Sequence, residues 1–459
     1  MKRHNVFTLR FAGCCLSATM VLALTGLSAE AGFLTKNLQI CDQGSFFVGG
    51  VPKTTKFSGS VTPSLNAQIT VGQMYVGFQV PVAAKKWPLI IVHGSTHSGA
   101  CVEATPQGTE GWASYTVRNK LATYVVDQPG RGKSGNDNSR LQEYQATVLG
   151  VPGANATFPN TVTPTGPAIG RISDNGAYTS WFGHLVQPGT ATTCTDILTC
   201  ELMPHGWRAD DPSPASIHPD PAGYLPAFAL NATSDFIEPA HLDKTGTGTW
   251  GPAPFGPAAA YKLHYYRQLL PNYEVTLPTS TCPTCVPTAL IQANTWSPRD
   301  LASLVERLGG AIVATHSQSG IQGHDMVRVL KEDGKLNLLK GLITVEGTCS
   351  FANSGTTAAD FDNVPYLAFK GDYTPFSQGC QDVVNAINAR RAAGQGTARA
   401  DYIQLDDPSY NGQFNGVPHM MMDGTNNLQV MDQILNWTDK YIANPPSTGQ
   451  CNSPPKPAA

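Results

Sequence analysis

The feature that most constrains this chain is the run Thr315-His316-Ser317-Gln318-Ser319-Gly320. An apolar stretch, residues 311–314, leads into it, and a helical apolar pattern over 321–330 leaves it and stops at Gly334. The order predicts a buried strand, a sharp turn with a serine at its apex, and a helix. Such a turn strains the backbone of its apical residue. The residues two before and two after it must be small, because strand and helix pass close together there. Here they are Thr315 and Ser319, where glycine is the common choice, and the β-branched Thr315 departs further. With Ser319 at the apex the second neighbour would be Ile321, too bulky for the crossing, so Ser317 is the expected apex. A serine-rich turn without chemistry is the plainer alternative.

The surroundings favour the first reading. Residues 67–80 alternate polar and apolar, as antiparallel strands do. Residues 88–92 are continuously apolar, as a strand buried on both faces is, and run into His93-Gly94-Ser95. A helix is expected over 112–121 and a strand over 122–126. The following Asp127-Gln128-Pro129-Gly130-Arg131-Gly132-Lys133-Ser134-Gly135 lacks the spacing of a phosphate loop and no helical pattern follows it, so it reads as a turn after the fourth strand. From 136 to 296 the chain is rich in Pro, Gly and Thr, with one credible helix over 257–270. That is too long for a loop and reads as an inserted lid. Regularity resumes at Ser297-Pro298-Arg299-Asp300. Here Ser fits an N-cap, Pro the first helical position and Asp the return half of a capping box, ahead of an apolar face of Leu301, Leu304, Val305 and Leu308. Strands over 342–345, 366–369 and 402–405 and helices over 381–393 and 426–442 complete the pattern. Strands alternating with helices predict an α/β fold, a mostly parallel sheet with helices on both faces. Its core has halves at 32–135 and 297–443, the lid at 136–296 between them, and a Pro-rich tail over 444–459.

The first residues read as an export leader. Lys2, Arg3 and Arg10 precede a mostly apolar 11–27, and Ala29-Glu30-Ala31 fits a cleavage site, so removal of 1–31 and a secreted or periplasmic location are expected. No later run approaches the roughly 18 apolar residues that span a bilayer, so stable membrane insertion is not expected. Nine cysteines then remain: Cys41, Cys101, Cys194, Cys200, Cys282, Cys285, Cys349, Cys380 and Cys451. In an exported chain they point to disulfides. Cys194 with Cys200 and Cys282 with Cys285 are close enough to close small loops. An odd count leaves one thiol free or paired between chains, which leaves room for a homodimer. Charged residues are 14% of the chain and the net charge is -3, which does not point to nucleic acid as a partner.

A serine hydroxyl becomes a nucleophile only with a base, a group orienting that base, and donors for the oxyanion. Downstream of Ser317 there are two histidines. His324 falls inside the expected helix and reads as a core or surface residue. His419 lies in a loop, 415–423, between the last strand and the last helix, and can reach the strand ends. Glu346 and Asp372 each follow a strand, and spacing alone does not choose between them. The backbone N–H of Gln318 and that of Ser95, after His93-Gly94, are the expected oxyanion donors. His93 itself reads as structural, bonded behind its loop. This chemistry calls for no metal and no organic cofactor.

Taken together, the stretches 43–50, His93-Gly94, 127–135, His316-Ser317-Gln318-Ser319-Gly320, Val345-Glu346, Gly371-Asp372, 419–423 and 426–430 resemble bacterial secreted esterases of the α/β-hydrolase superfamily. In that group the acid is a Glu after the sixth strand of the sheet. The resemblance implies the α/β-hydrolase fold. It also implies Ser317 as nucleophile, Glu346 as acid, His419 as base, and Ser95 and Gln318 as oxyanion donors, acting on a small-molecule ester through an acyl-enzyme. Relatives can carry paired cysteines after His-Gly, where this chain has Ser95 and Thr96. An amide or thioester hydrolase would use the same triad, and a binding protein on this scaffold is the rival of another class. A dehalogenase would need Asp at the apex. Trp181, Trp207, Phe228, Trp250, Phe255, Tyr261 and Tyr265 are candidates to line a substrate pocket in the lid.

Overall fold

Leu89-Ile90-Ile91-Val92 shows how the sheet is made. All four side chains are buried. Leu89 and Ile91 join one apolar cluster, Ile90 and Val92 another on the opposite face, because successive residues of a strand point to opposite sides. A continuous apolar run is therefore what a strand covered on both faces requires.

The computed structural model describes residues 33–106, 109–154, 172, 177, 180–181, 183–186, 201–204, 265, 267–271, 291–371, 379–411, 413–414, 417–424 and 426–446. The expected leader, the tail beyond 446, most of 136–296 with most of the helix expected over 257–270, and Cys194, Cys200, Cys282 and Cys285 lie outside these residues.

Eight strands form the sheet: β1 Ile40–Thr55, β2 Ala67–Pro81, β3 Leu89–Val92, β4 Thr123–Asp127, β5 Ala311–His316, β6 Leu339–Val345, β7 Tyr366–Lys370 and β8 Ala400–Gln404. Their order is β1-β2-β4-β3-β5-β6-β7-β8. β2 pairs antiparallel with β1 and β4, and every other pairing is parallel. Gly183–Val186 and Glu201–Pro204 make a separate antiparallel pair. Among the described residues the longer helices are α1 Trp112–Arg118, α2 Ser139–Val148, α3 Ile291–Arg307, α4 Ser319–Glu332, α5 Cys380–Ala392 and α6 Asn427–Tyr441. Trp112 of α1 and Met431, Ile434 and Leu435 of α6 cover one face. Leu301 and Leu304 of α3, Met326 and Leu330 of α4, and Val383 and Ile387 of α5 cover the other.

The chain leaves β3 for β4 on one side, and β5 enters on the other. The loops after β3 and β5 therefore diverge and open a crevice at the carboxyl ends of the strands, where ligands bind in sheets of this kind.

Three elements differ from the sequence reading. β1 was not anticipated, although Phe46 and Val48 point inward and Phe47 outward. α2 follows the 127–135 turn, against the expectation of no helix there. Of its side chains Ala146 is fully buried, so it lacks an apolar stripe to announce it. α3 begins at Ile291 and carries Pro298 inside it, so Ser297 is not its cap. Among the described residues the Ser297 hydroxyl and Asp300 Oδ2 have no hydrogen-bond partner. The Asp300 carboxyl packs against the backbone of Gly49 in β1, where a methyl group would come within 2.0 Å of Oδ1, and burial raises its pKa to about 8. Packing of α3 on β1 has overridden the capping pattern.

Cys349 and Cys380 form a disulfide with Cα atoms 4.8 Å apart. It ties the segment after β6 to the first residue of α5. Cys41 is also disulfide-bonded, and Cys101 is a buried free thiol.

The departure at Thr315 is accommodated from the helix side. Gly323 of α4 faces it, and a methyl there would lie 2.9 Å from Thr315 Cγ2 and 3.1 Å from Leu342 Cδ1. In an exposed helix Gly→Ala would gain about 1 kcal/mol. Here overpacking should outweigh that gain, and Gly323→Ala should lose about 1–2 kcal/mol net in urea unfolding. Adding Thr315→Ser, which removes Cγ2, should return part of the loss, whereas strictly additive effects would deny the contact. Replacing Cys349 and Cys380 together by Ala should cost about 3–4 kcal/mol, as expected for opening a loop of 31 residues. A change under 1 kcal/mol would show that the bridge does not restrain the unfolded chain.

Candidate active site

Ser317 sits at the apex of the β5–α4 turn with φ of 55°, in the left-handed region that non-glycine residues rarely enter. Its N–H donates to Val345 O (3.0 Å), and its carbonyl accepts from Gly320 N–H (3.0 Å). Close approach explains the surrounding glycines. A methyl at Gly94 would come within 2.8 Å of Ser317 Cβ, and one at Gly347 within 3.1 Å of Ser317 O. Ser319 is fully buried. Its Oγ accepts from His316 N–H (2.8 Å) and shares its proton between the carbonyls of Val92 (3.1 Å) and His316 (2.8 Å). It ties β5 to β3 and leaves the apex to Ser317.

The loop carrying His419 returns from β8 to this point. His419 Nε2 lies 2.9 Å from Ser317 Oγ, and Nδ1 lies 3.2 Å from Glu346 Oε2. Glu346, the residue after β6, is wholly buried. Its N–H donates to Phe369 O (2.8 Å) and its Oε1 accepts from Gly371 N–H. A carboxylate can only accept, so Nδ1 of His419 carries the proton and Nε2 offers its lone pair to the serine hydroxyl. Burial pushes the His419 imidazole below its ordinary pKa of 6.5. Its backbone is fixed as well: N–H to Trp181 O (3.2 Å), and C=O accepting from His316 Nε2 (2.9 Å). The His316 and His419 rings are 4.7 Å apart, and Trp181 stacks over His419 at 6.2 Å. Such an arrangement can move a proton from hydroxyl to imidazole while a carboxylate faces the imidazolium that forms. Asp372, the other carboxylate considered, lies outside the described residues. His324 is in the core of α4, with Nε2 3.0 Å from Tyr366 OH and its pKa lowered to about 4 by burial.

Gln318 caps α4, so its N–H stands at the helix start, where backbone donors lack intrahelical partners and the helix dipole favours negative charge. Across the crevice, the Gly94 carbonyl accepts from His93 Nδ1 (2.8 Å) and Arg131 Nη1 (3.2 Å). His93 Nε2 in turn accepts from Gln128 N–H (3.0 Å). The imidazole is neutral, its pKa lowered to about 3 by burial and by the Arg131 charge. Thr96 has φ of 60°. The Ser95 carbonyl accepts from Thr96 Oγ1 (2.7 Å) and His97 Nδ1 (2.7 Å), and His97 Nε2 then accepts from Tyr265 OH (2.9 Å). Leu270 N–H donates to Thr96 O (2.7 Å). Trp181, whose ring lies 5.2 Å from that of His97, and Tyr265, two of the aromatic residues expected to matter, thus meet this loop. Trp207, Phe228, Trp250, Phe255 and Tyr261 lie outside the described residues.

Sequence reasoning passed over Arg131, His97 and His316. The first had a signal, the compact turn 127–135; the others had only their place beside Gly94 and Ser317. Among the described residues no group of three or more His, Cys, Asp or Glu side chains could hold a metal ion, and no helix is long and apolar enough to cross a membrane.

No protein-family model and no curated protein matches the chain. Among solved structures it is similar to one described as a novel bacterial esterase, with a TM-score of 0.57 and 24% identity, covering 89% of this chain and 98% of that one. A predicted CIB-like hydrolase from Thermoplasma acidophilum (TM-score 0.27, 7% identity, 84% and 98% covered) and the esterase Est22 with p-nitrophenol (0.31, 10%, 86% and 80%) overlay too loosely to bear on the fold. The strand order, the switch point between β3 and β5, helices on both faces and the first of these similarities together give the chain the α/β-hydrolase fold.

Proposed function

We propose that this chain is a serine carboxylic-ester hydrolase that works through an acyl-enzyme. The observation that carries the reading is the hydrogen-bonded line from Ser317 through His419 to Glu346 at the strand ends. Ser317 Oγ attacks the ester carbonyl carbon while its proton passes to His419 Nε2. The carbonyl π pair becomes an oxyanion facing the N–H groups of Ser95 and Gln318. Collapse of that intermediate breaks the bond to the alcohol oxygen, which takes the proton from His419. Water then repeats the sequence on the acyl-serine, with His419 as its base, and releases the acid. Glu346 faces the imidazolium in both halves. Resemblance to bacterial esterases supports an ester as the bond cleaved. The leader-like 1–31 and the Cys349–Cys380 bridge support an oxidising, exported location.

A fluorophosphonate probe should label the protein once, and Ser317→Ala should abolish the label. Glu346→Gln should cut kcat for p-nitrophenyl butyrate by about 10⁴-fold, as loss of a triad acid does elsewhere, while Asp372→Asn should stay within about tenfold. Collapse in the Asp372 variant alone would overturn the assignment of Glu346.

The base must be neutral, so activity falls as pH falls and His419 protonates. Burial lowers its pKa, so the acid limb of kcat/KM should have its midpoint below 6.5. A midpoint at or above 6.5 in a pH–rate profile would contradict a buried, neutral His419 in the free protein.

A further inference from the structure

The turn after β4 takes no part in the proton transfers above, yet it is built as a rigid unit. The Asp127 carboxylate accepts from Gly99 N–H (2.6 Å) and Lys133 N–H (2.7 Å), and Ser134 Oγ donates to Asp127 O (2.5 Å). Arg131 projects from this turn and is only 3% exposed. Its Nη1 donates to Gly94 O (3.2 Å) and to Gln128 Oε1 (2.9 Å), and its Nη2 to Gln318 Oε1 (3.0 Å).

Two features of these contacts matter. First, the Gly94–Ser95 peptide is trans, so its carbonyl and its N–H point in opposite directions. With the Gly94 oxygen held on the side of Arg131 and His93, the Ser95 N–H is turned the other way. Second, the same guanidinium holds the side chain of Gln318, whose own N–H stands at the start of α4. One buried planar group therefore bridges both loops that carry the proposed donors. A lysine could keep the charge, but its single nitrogen cannot reproduce the fixed fork.

We propose that Arg131 is a positioning residue that sets the Ser95 and Gln318 N–H groups jointly on the oxyanion. This rests on the reading of Ser317 as the nucleophile. The oxyanion exists only once attack has begun, so the contribution of Arg131 belongs to the transition state rather than to substrate binding.

The test uses the full chain with p-nitrophenyl butyrate, each preparation titrated with a fluorophosphonate so that rates are per labelled Ser317. Loss of one oxyanion donor costs about 10²–10³ in kcat elsewhere. Arg131→Met, which loosens donors without removing them, should lower kcat by about 10–100-fold with KM within about threefold. Arg131→Lys should recover less than a tenth of the lost activity. Gln318→Ala, which cuts one of the contacts, should cost about 3–10-fold, and its effect should largely vanish when added to Arg131→Met. An Arg131→Met enzyme with fewer labelled sites but kcat per site within twofold of wild type would reduce Arg131 to fold support and overturn the proposal. Full activity in Arg131→Lys would overturn it as well, by showing that charge alone suffices. If Arg131→Met does not fold, Arg131→Lys and Gln318→Ala decide by the same criteria. A wild-type chain that neither takes the label nor hydrolyses the ester would remove the reading of Ser317 and this inference with it.

Discussion

The geometry at the strand ends depends on how closely the loop after β3 approaches the turn at Ser317. Gly94 has no room for a side chain, since Ser317 Cβ and His316 Nδ1 occupy the space that one would need. That contact places Ser95 and Gln318 on two sides of one crevice. Behind it, His93 and Arg131 hold the Gly94 carbonyl, and Gln128 in turn holds both of them. The strained backbone of Ser317 is kept in place by Val345 and Gly320. Each loop is thus held from outside itself, the first by Arg131 of the turn after β4 and the second by Val345 of β6.

The fold was legible because its central strands are buried on both faces. Residues 88–92 and 311–314 are continuous apolar runs, a composition with few alternatives once helices lie between them. What escaped notice lies at edges and surfaces. β1 mixes Phe46 and Val48 with glycines and an exposed Phe47, so its alternation is diluted. α2 offers its burial to little more than Ala146 and has no stripe. The capping pattern at Ser297 and Asp300 was sound locally and was overruled by packing against Gly49, which no local pattern records.

The site was legible to a similar depth. Ser317 and His419 could be picked out because the turn imposes a residue pattern and few histidines follow it. The choice between Glu346 and Asp372 had no local signal, as both follow a strand. The Glu346 carboxylate lies between His419 and the Gly371 N–H, a tertiary relation that no local pattern records. Arg131 and His97 bond to partners remote in sequence, Gln318 and Tyr265. Their hydrogen-bonding is a property of the assembled crevice.

The His97 imidazole has a consequence for how this protein could diversify. Its tautomer is dictated from both ends: the Ser95 carbonyl accepts from Nδ1–H, and the bare Nε2 accepts from the Tyr265 hydroxyl. Tyr265 comes from the stretch between β4 and β5, whereas Ser95 follows β3 closely. Replacing that stretch would strand a buried imidazole nitrogen unless the newcomer brought its own hydroxyl to the same spot. A change at His97 or at Tyr265 is therefore felt by the other, 168 positions along the chain.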